Sequence, residues 1–405
     1  MTQHTIIRLG HQGDGIAEGP VFAPRTLPGE VVSGTLNDTQ LTDVRIEAPS
    51  DDRVAAPCRH YKSCGGCQLQ HASDALVADF KADVVKAALS AHRLETDVRP
   101  TLTSPAQSRR RATFSVKRTK KGATAGFHGR ASGVIVEVTD CLLVDPALLP
   151  ALEVAKALAL VGSSRKAEMS VAATLSGEGL DISVQGGKPL DGPLRVQLAQ
   201  ATETHGLCRL AWDGEVIAAR GQAFQTFGAA RVVPPPGTFL QATVHGEHTL
   251  QALVMEICAG ARSVADLFAG CGTFSFPLLT HAEVHAVEGD AEMTAALAAG
   301  WRAAGGLRPL TAQARDLFRR PLLPDELKRF DTVVIDPPRA GAAAQVAQII
   351  ESNVKTVAYV SCNPVTFARD TAQLVSAGFT LEWVQPVDQF RWSSHVELVG
   401  KLTRL

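Results

Sequence analysis

The β-branched run Thr356 to Ser361 stops at Cys362, which is followed at once by Asn363 and Pro364. A second run, Thr332 to Asp336, stops in the same way at Pro337-Pro338-Arg339. Proline cannot continue a hydrogen-bonded ladder, so both clusters are expected at a rigid, exposed sheet rim. Near the carboxyl terminus, His395, Glu397 and Val399 alternate with Val396 and Leu398, which predicts a strand with Glu397 on its polar side. A thiol and a carboxylate acting together suit one particular reaction. Carbon 5 of uracil is too weak a nucleophile to take a methyl group directly. Thiolate addition at carbon 6 makes an enolate that can, and a general base then removes the carbon 5 proton as the thiol leaves. Taken singly, the residues have plainer readings. Cys362 fits a packing thiol equally well, Glu397 fits a solvated edge residue, and Asp-Pro-Pro also marks amino-group methylases that need no thiol.

These residues require a scaffold that brings strand ends together. From Ala261 onward, short apolar runs (Ser263 to Phe268, Val284 to Glu288, Thr332 to Asp336, Thr356 to Ser361) alternate with Ala-rich stretches at Ala291 to Ala304 and Ala342 to Ile350. That rhythm predicts an α/β, Rossmann-like parallel sheet with helices on both faces and a ligand at the carboxyl ends of the strands. The first strand runs into Ala269-Gly270-Cys271-Gly272-Thr273, where two glycines allow close backbone approach. The second ends at Glu288, placed to accept hydrogen bonds from both ribose hydroxyls. NAD would satisfy both features. Asp316, after the third strand, is placed to contact an adenine amino group. Position 275 is Ser, so the three-glycine pyrophosphate fingerprint is missing, and S-adenosylmethionine fits better.

The chain has 405 residues, 45% of them apolar and 20% charged, with a net charge of −1, so two or three globular domains are expected. No secretory signal is evident, and the most apolar stretch, Ala147 to Val161, is too short to span a bilayer, which predicts a cytoplasmic protein. Nine basic residues and no acidic one lie between Asp97 and Glu137, a one-sided field suited to a polyphosphate partner. Gly-punctuated short strands up to residue 55 fit a small β-barrel, and Pro234-Pro235-Pro236-Gly237 is the clearest linker. The expected domains are therefore 1–55, 56–236 and 237–405. Cys58, Cys64 and Cys67 with the remote Cys141 have metal-ligand spacing, which zinc and an iron–sulfur cluster satisfy equally.

In their order and spelling, the segments Asp266 to Phe274, Asp336 to Gly341, Ser361 to Pro364 and His395 to Glu397 resemble the RNA 5-methyluridine methyltransferase family. Phe239-Leu240-Gln241-Ala242-Thr243 matches a further family motif, although Asn is usual where Thr243 stands and frequent where Thr273 stands. The segment Phe390 to Ser394 lacks the proline usual before His-Val-Glu. The resemblance implies that Cys362 is the nucleophile and Glu397 the base. It also implies that Gln241, Phe268, Thr273, Glu288, Asp316 and Asp336 line the pocket for S-adenosylmethionine and the target base, with Asp336 meeting the uracil ring nitrogen.

By the same resemblance, Cys58, Cys64, Cys67 and Cys141 hold a structural [4Fe–4S] cluster within the central α+β domain, and the first 50 residues form a TRAM-like RNA-binding barrel. Arg109-Arg110-Arg111 and Gly126-Phe127-His128 resemble RNA-facing elements, and Phe127 or Phe239 is available to stack on a displaced base, although a core position suits each better. The implied partner is RNA, 23S ribosomal RNA ahead of tRNA, bound by a monomer. Two other classes stay open: an amino-group methyltransferase, and an RNA-binding or folding module in which catalysis is secondary.

Overall fold

The computed structural model describes residues 2–405. Among these residues the strands form a closed five-stranded barrel, a seven-stranded sheet, a nine-stranded sheet and one small hairpin. The barrel spans Gln3–Leu9 to Gln40–Ala48 and is filled by Ile6, Val21, Val32 and Leu41. The central sheet is backed by the helices Ala151–Gly162 and Gly192–Thr204, with Phe114, Leu158 and Trp212 fully buried between the layers. No helix among the described residues is long and apolar enough to cross a membrane.

The nine-stranded sheet positions the chemistry. Leu310–Ala314, Glu283–Glu288, Ser263–Leu267, Thr332–Ile335 and Thr356–Ser361 lie side by side and parallel. The strand order reverses between Ser263–Leu267 and Thr332–Ile335, which opens a crevice at their carboxyl ends. Glu397–Thr403 then runs antiparallel between Thr356–Ser361 and Thr380–Asp388. Its residues are almost all buried, because it is a central strand covered on both faces. The expected polar side for Glu397 therefore does not exist: this carboxylate is 3% exposed.

The sheet also draws in residues from the first quarter of the chain. Asp97–Val98 and Leu102–Thr103, counted with the central segment in the sequence reading, pair with Thr380–Asp388 at the sheet edge. The helix Asp74–Ser90 begins at a Ser73 cap and bridges two cores. Val77 and Phe80 pack with barrel residues Leu9 and Leu27, whereas Val85 and Leu89 pack with Phe367 and Val384. Lys81 on this helix is fully buried, with its Nζ 2.5 Å from Asp388 and 3.2 Å from the Phe390 carbonyl oxygen. Burial pushes the Lys81 ammonium below its usual range, and the Asp388 carboxylate opposes that shift. Replacing Lys81 by Met would strand Asp388 in the core and is expected to cost about 3 kcal/mol of stability. Urea unfolding measures this, and an unchanged midpoint would show that the pair does not secure this edge.

Candidate active site

A cavity of about 450 Å³ opens at the carboxyl ends of the parallel strands. On one side lies the turn after Ser263–Leu267. Phe268 is held there at φ 61°, an uncommon conformation for a bulky side chain, and Gly270 and Gly272 are also left-handed. A Cβ on Gly272 would stand 2.6 Å from the Phe276 ring, so that position excludes other residues. Glu288 braces the turn: its Oε2 accepts from the Gly270 N–H at 2.9 Å, and its Oε1 accepts from the Asp290 N–H at 3.1 Å. Thr273 lines the cavity as well, and its carbonyl accepts from Gln251 Nε2 at 2.9 Å.

On the opposite wall stand Asp336, Cys362 and Glu397. Strand direction explains their meeting. An antiparallel strand begins where its parallel neighbours end, so Glu397 at the start of one reaches the rim on which Cys362 ends another. The register confirms it, with Ser361 paired to Leu398. Pro364 sits in the first turn of the helix Pro364–Ser376, which Asn363 caps by accepting from the Val365 N–H.

The three groups share an electrostatic problem. Burial pushes the Glu397 carboxyl up to about 7, opposed by a hydrogen bond from Gln389 and by the cations Arg111 and Arg339. Burial and the neighbouring Glu397 and Asp336 push the Cys362 thiol up to about 11, opposed by Arg339. Asp336 is raised well above the usual carboxylate range by burial and by Glu397, Asp266 and Glu288. Arg339 is thus the shared counter-charge for nucleophile and base. The sequence assigns no active-site role to Gln389, Arg111 or Arg339; Arg339 lies within the segment Asp336 to Gly341 and Arg111 within the Arg109 to Arg111 run, whereas Gln389 stands in no motif.

Most of the expected pocket residues do converge. Gln241, Phe268, Thr273, Glu288 and Asp336 line the same cavity as Cys362 and Glu397. Asp316 is not among its lining residues; its Oδ1 accepts from the N–H groups of Phe318 and Arg319, while Phe318 packs on Phe268 at 5.5 Å between ring centroids. Thr243 uses its hydroxyl to cap the helix Val244–Ile257, accepting from the Gly246 N–H at 2.8 Å, the local task an Asn would serve.

The arginine strip differs from expectation. Arg110 is 5% exposed and pairs with buried Glu247, because it plugs the junction between the central sheet and that helix. Arg109 and Arg111 are turned inward as well; Arg111 stacks on the Phe239 ring at 4.4 Å. Phe239 itself is 59% exposed at the cavity mouth rather than in a core, whereas Phe127 packs on Phe114.

A second cavity, of about 310 Å³, is lined by Cys58, Cys64, Cys67 and Cys141 together with Arg109 and Arg111. Burial raises the Cys64 and Cys67 thiols, Cys67 to about 12; Cys141 and Cys58 raise both further, and Cys64 adds to the rise at Cys67. Among the described residues no three His, Cys, Asp or Glu side chains gather tightly enough to hold a single metal ion.

Comparison with known proteins agrees with this architecture. The family model described as tRNA (Uracil-5-)-methyltransferase matches residues 310–404. An RNA methyltransferase of Caulobacter vibrioides is 44% identical over the whole of both chains. The 23S rRNA (uracil(1939)-C(5))-methyltransferase RlmD of Halomonas elongata is 34% identical across 96% of this chain and 86% of its own. In fold, the chain is similar to the Pyrococcus abyssi tRNA (uracil-54, C5)-methyltransferase solved with S-adenosyl-L-homocysteine, with a TM-score of 0.77, 22% identity and 99% of each chain covered. On the strength of these whole-chain matches, the protein belongs to the RNA uracil-5-methyltransferase family.

Proposed function

We propose that this chain methylates carbon 5 of a uridine in RNA, with S-adenosylmethionine as donor, Cys362 as nucleophile and Glu397 as base. The observation that carries the reading is the single cavity that Cys362 and Glu397 share with the glycine turn and Glu288. When bound, S-adenosylmethionine supplies an electrophilic methyl group. The residues fit it: Glu288 is oriented by two backbone donors and keeps lone pairs for ribose hydroxyls, and the strained Phe268 turn presents backbone to the ligand. The Pyrococcus abyssi neighbour, solved with the demethylated product of that donor, supports the choice.

The protein's own groups then carry the reaction. Cys362 Sγ adds as thiolate to carbon 6, and the electrons of the 5,6 double bond move to the ring as an enolate. Carbon 5 takes up the methyl group, Glu397 removes the carbon 5 proton, the double bond re-forms and Cys362 leaves as thiolate. Arg339 favours the charged forms of both groups. Asp336, held toward its neutral form, accepts from the ring N–H and donates to an adjacent oxo oxygen. Phe239, exposed at the mouth and braced by Arg111, is placed to stack on a displaced base. The Halomonas elongata relative favours 23S ribosomal RNA over tRNA as the substrate.

Cys58, Cys64, Cys67 and Cys141 would hold a [4Fe–4S] cluster. The four cysteines line one cavity, and Arg109 and Arg111, which line it too, would offset the thiolate charge of such a cluster.

Four outcomes test this reading. Cys362→Ala is expected to abolish methylation and the covalent adduct with 5-fluorouridine RNA, visible on a denaturing gel; full methylation by that variant would sink the thiol mechanism and favour amine methylation. Because Glu397 and Cys362 both act deprotonated, turnover should rise steeply with pH up to a limb near about 7, where Glu397 titrates, and more gently above it as the Cys362 thiol ionises. Arg339→Ala should move that limb upward and slow adduct formation; a limb left in place would contradict the charge assignment. Protein purified anaerobically should contain about four iron and four sulfide per chain, with broad visible absorption; stoichiometric zinc would overturn the cluster.

A further inference from the structure

The base Glu397 does not hold itself in place. The turn after Thr380–Asp388 carries Gln389, 1% exposed, whose amide touches three parts of the site. Its Oε1 accepts from the Ala242 backbone N–H at 2.7 Å, and its Nε2 donates to Gln241 Oε1 at 2.5 Å. The same side chain lies close enough to the Glu397 carboxylate to favour its charged form. We infer that Gln389 is a positioning residue that sets the polarity of the Gln241 amide and holds Glu397 as a charged acceptor.

The direction of this relay follows from one group that cannot turn round. A backbone N–H only donates, so the atom of Gln389 that faces Ala242 is its oxygen. The Gln389 NH2 group therefore faces Gln241, and it is the end of the amide that can donate toward Glu397. Gln241 Oε1 is thereby occupied as an acceptor, and its Nε2 is the group left to meet a ligand in the cavity that Gln241 lines. A carbonyl oxygen of the target base suits such a donor; an exocyclic amine does not.

The surroundings show that this amide is fixed from several directions. Lys81 holds the residues on both sides, pairing with Asp388 and donating to the Phe390 carbonyl. Gly246 leaves the space: a Cβ there would lie 2.8 Å from Gln389 Cβ. Around Glu397, the other charged or titratable groups are Arg111 from the central sheet, Arg339 and Asp336 from one strand end, and Cys362 from the next. Gln389 is the neutral donor among them. It stabilises the charged carboxylate without adding a cation that would compete for RNA phosphates.

The inference rests on the proposed reaction, and the test separates the two. The full chain and its Gln389→Met and Gln389→Glu variants are mixed with a 23S rRNA transcript, unmodified or containing 5-fluorouridine. With S-adenosylmethionine present, the fluorinated transcript should still be trapped in Gln389→Met, because trapping needs Cys362 and methyl transfer but no proton removal. On the unmodified transcript, turnover should fall about tenfold, covalent protein–RNA complex should accumulate, and the acid limb of turnover should move up by about one pH unit. Gln389→Glu keeps the acceptor for Ala242 but places a like charge beside Glu397, so its limb should move further in the same direction. This second variant carries the test where the apolar one fails to fold. An unmoved limb with no accumulated complex in either variant would overturn the role of Gln389. If the unaltered chain traps no fluorinated transcript, the proposed reaction falls instead.

Discussion

A base that must work in a dry pocket beside a thiol and a second carboxylate cannot keep its charge unaided. Glu397 is in that position, and the rest of the site is arranged around the problem. Burial drives Glu397, Asp336 and Cys362 toward their neutral forms, and negative neighbours push Asp336 and Cys362 further the same way. Two arginines and one amide oppose that drift for Glu397, and one of those arginines, Arg339, also serves Cys362. A pocket poised between the two tendencies suits a base that must take up a proton and give it back near neutral pH.

The fold meets this constraint by a reversal of direction. A sheet of parallel strands alone would offer only strand ends at the crevice. Inserting Glu397–Thr403 antiparallel between two neighbours places a strand beginning at the same rim, so a residue from the far end of the chain stands beside Cys362. The edge beyond it is closed by residues from the first quarter of the sequence, through the buried Lys81–Asp388 pair and the short strands at Asp97–Val98 and Leu102–Thr103. The geometry of the base thus depends on contacts some three hundred positions apart. Arg391 adds another, pairing with Asp74 at 2.6 Å, and the carbonyl of Trp392, itself at φ 61°, accepts from the N–H groups of Gln68 and Leu69 beside the cysteine loop.

What the sequence disclosed and what it hid divide along the same line. Strand ends were legible because local chemistry marks them: proline after a β-branched run, glycines in a turn, an acidic residue where a strand stops. Such marks single out Cys362, Asp336 and Glu288, the family resemblance adds Thr273, and the cavity gathers all four. Local pattern misled where burial is decided at a distance. Glu397 alternates with apolar neighbours as an edge residue would, yet its strand is central. The arginines at 109 to 111 look like a surface strip, yet Arg110 neutralises Glu247 inside a junction. Gln389 carries no motif at all; its role arises from partners at 241, 242 and 397.

The account stands or falls on the atom that receives the methyl group. RNA transcribed with tritium at carbon 5 of uridine, incubated with the enzyme and S-adenosylmethionine, tests it most directly. Methylation through Cys362 and Glu397 predicts one tritium released to water for each methyl group transferred. Methyl transfer with the tritium retained would contradict it.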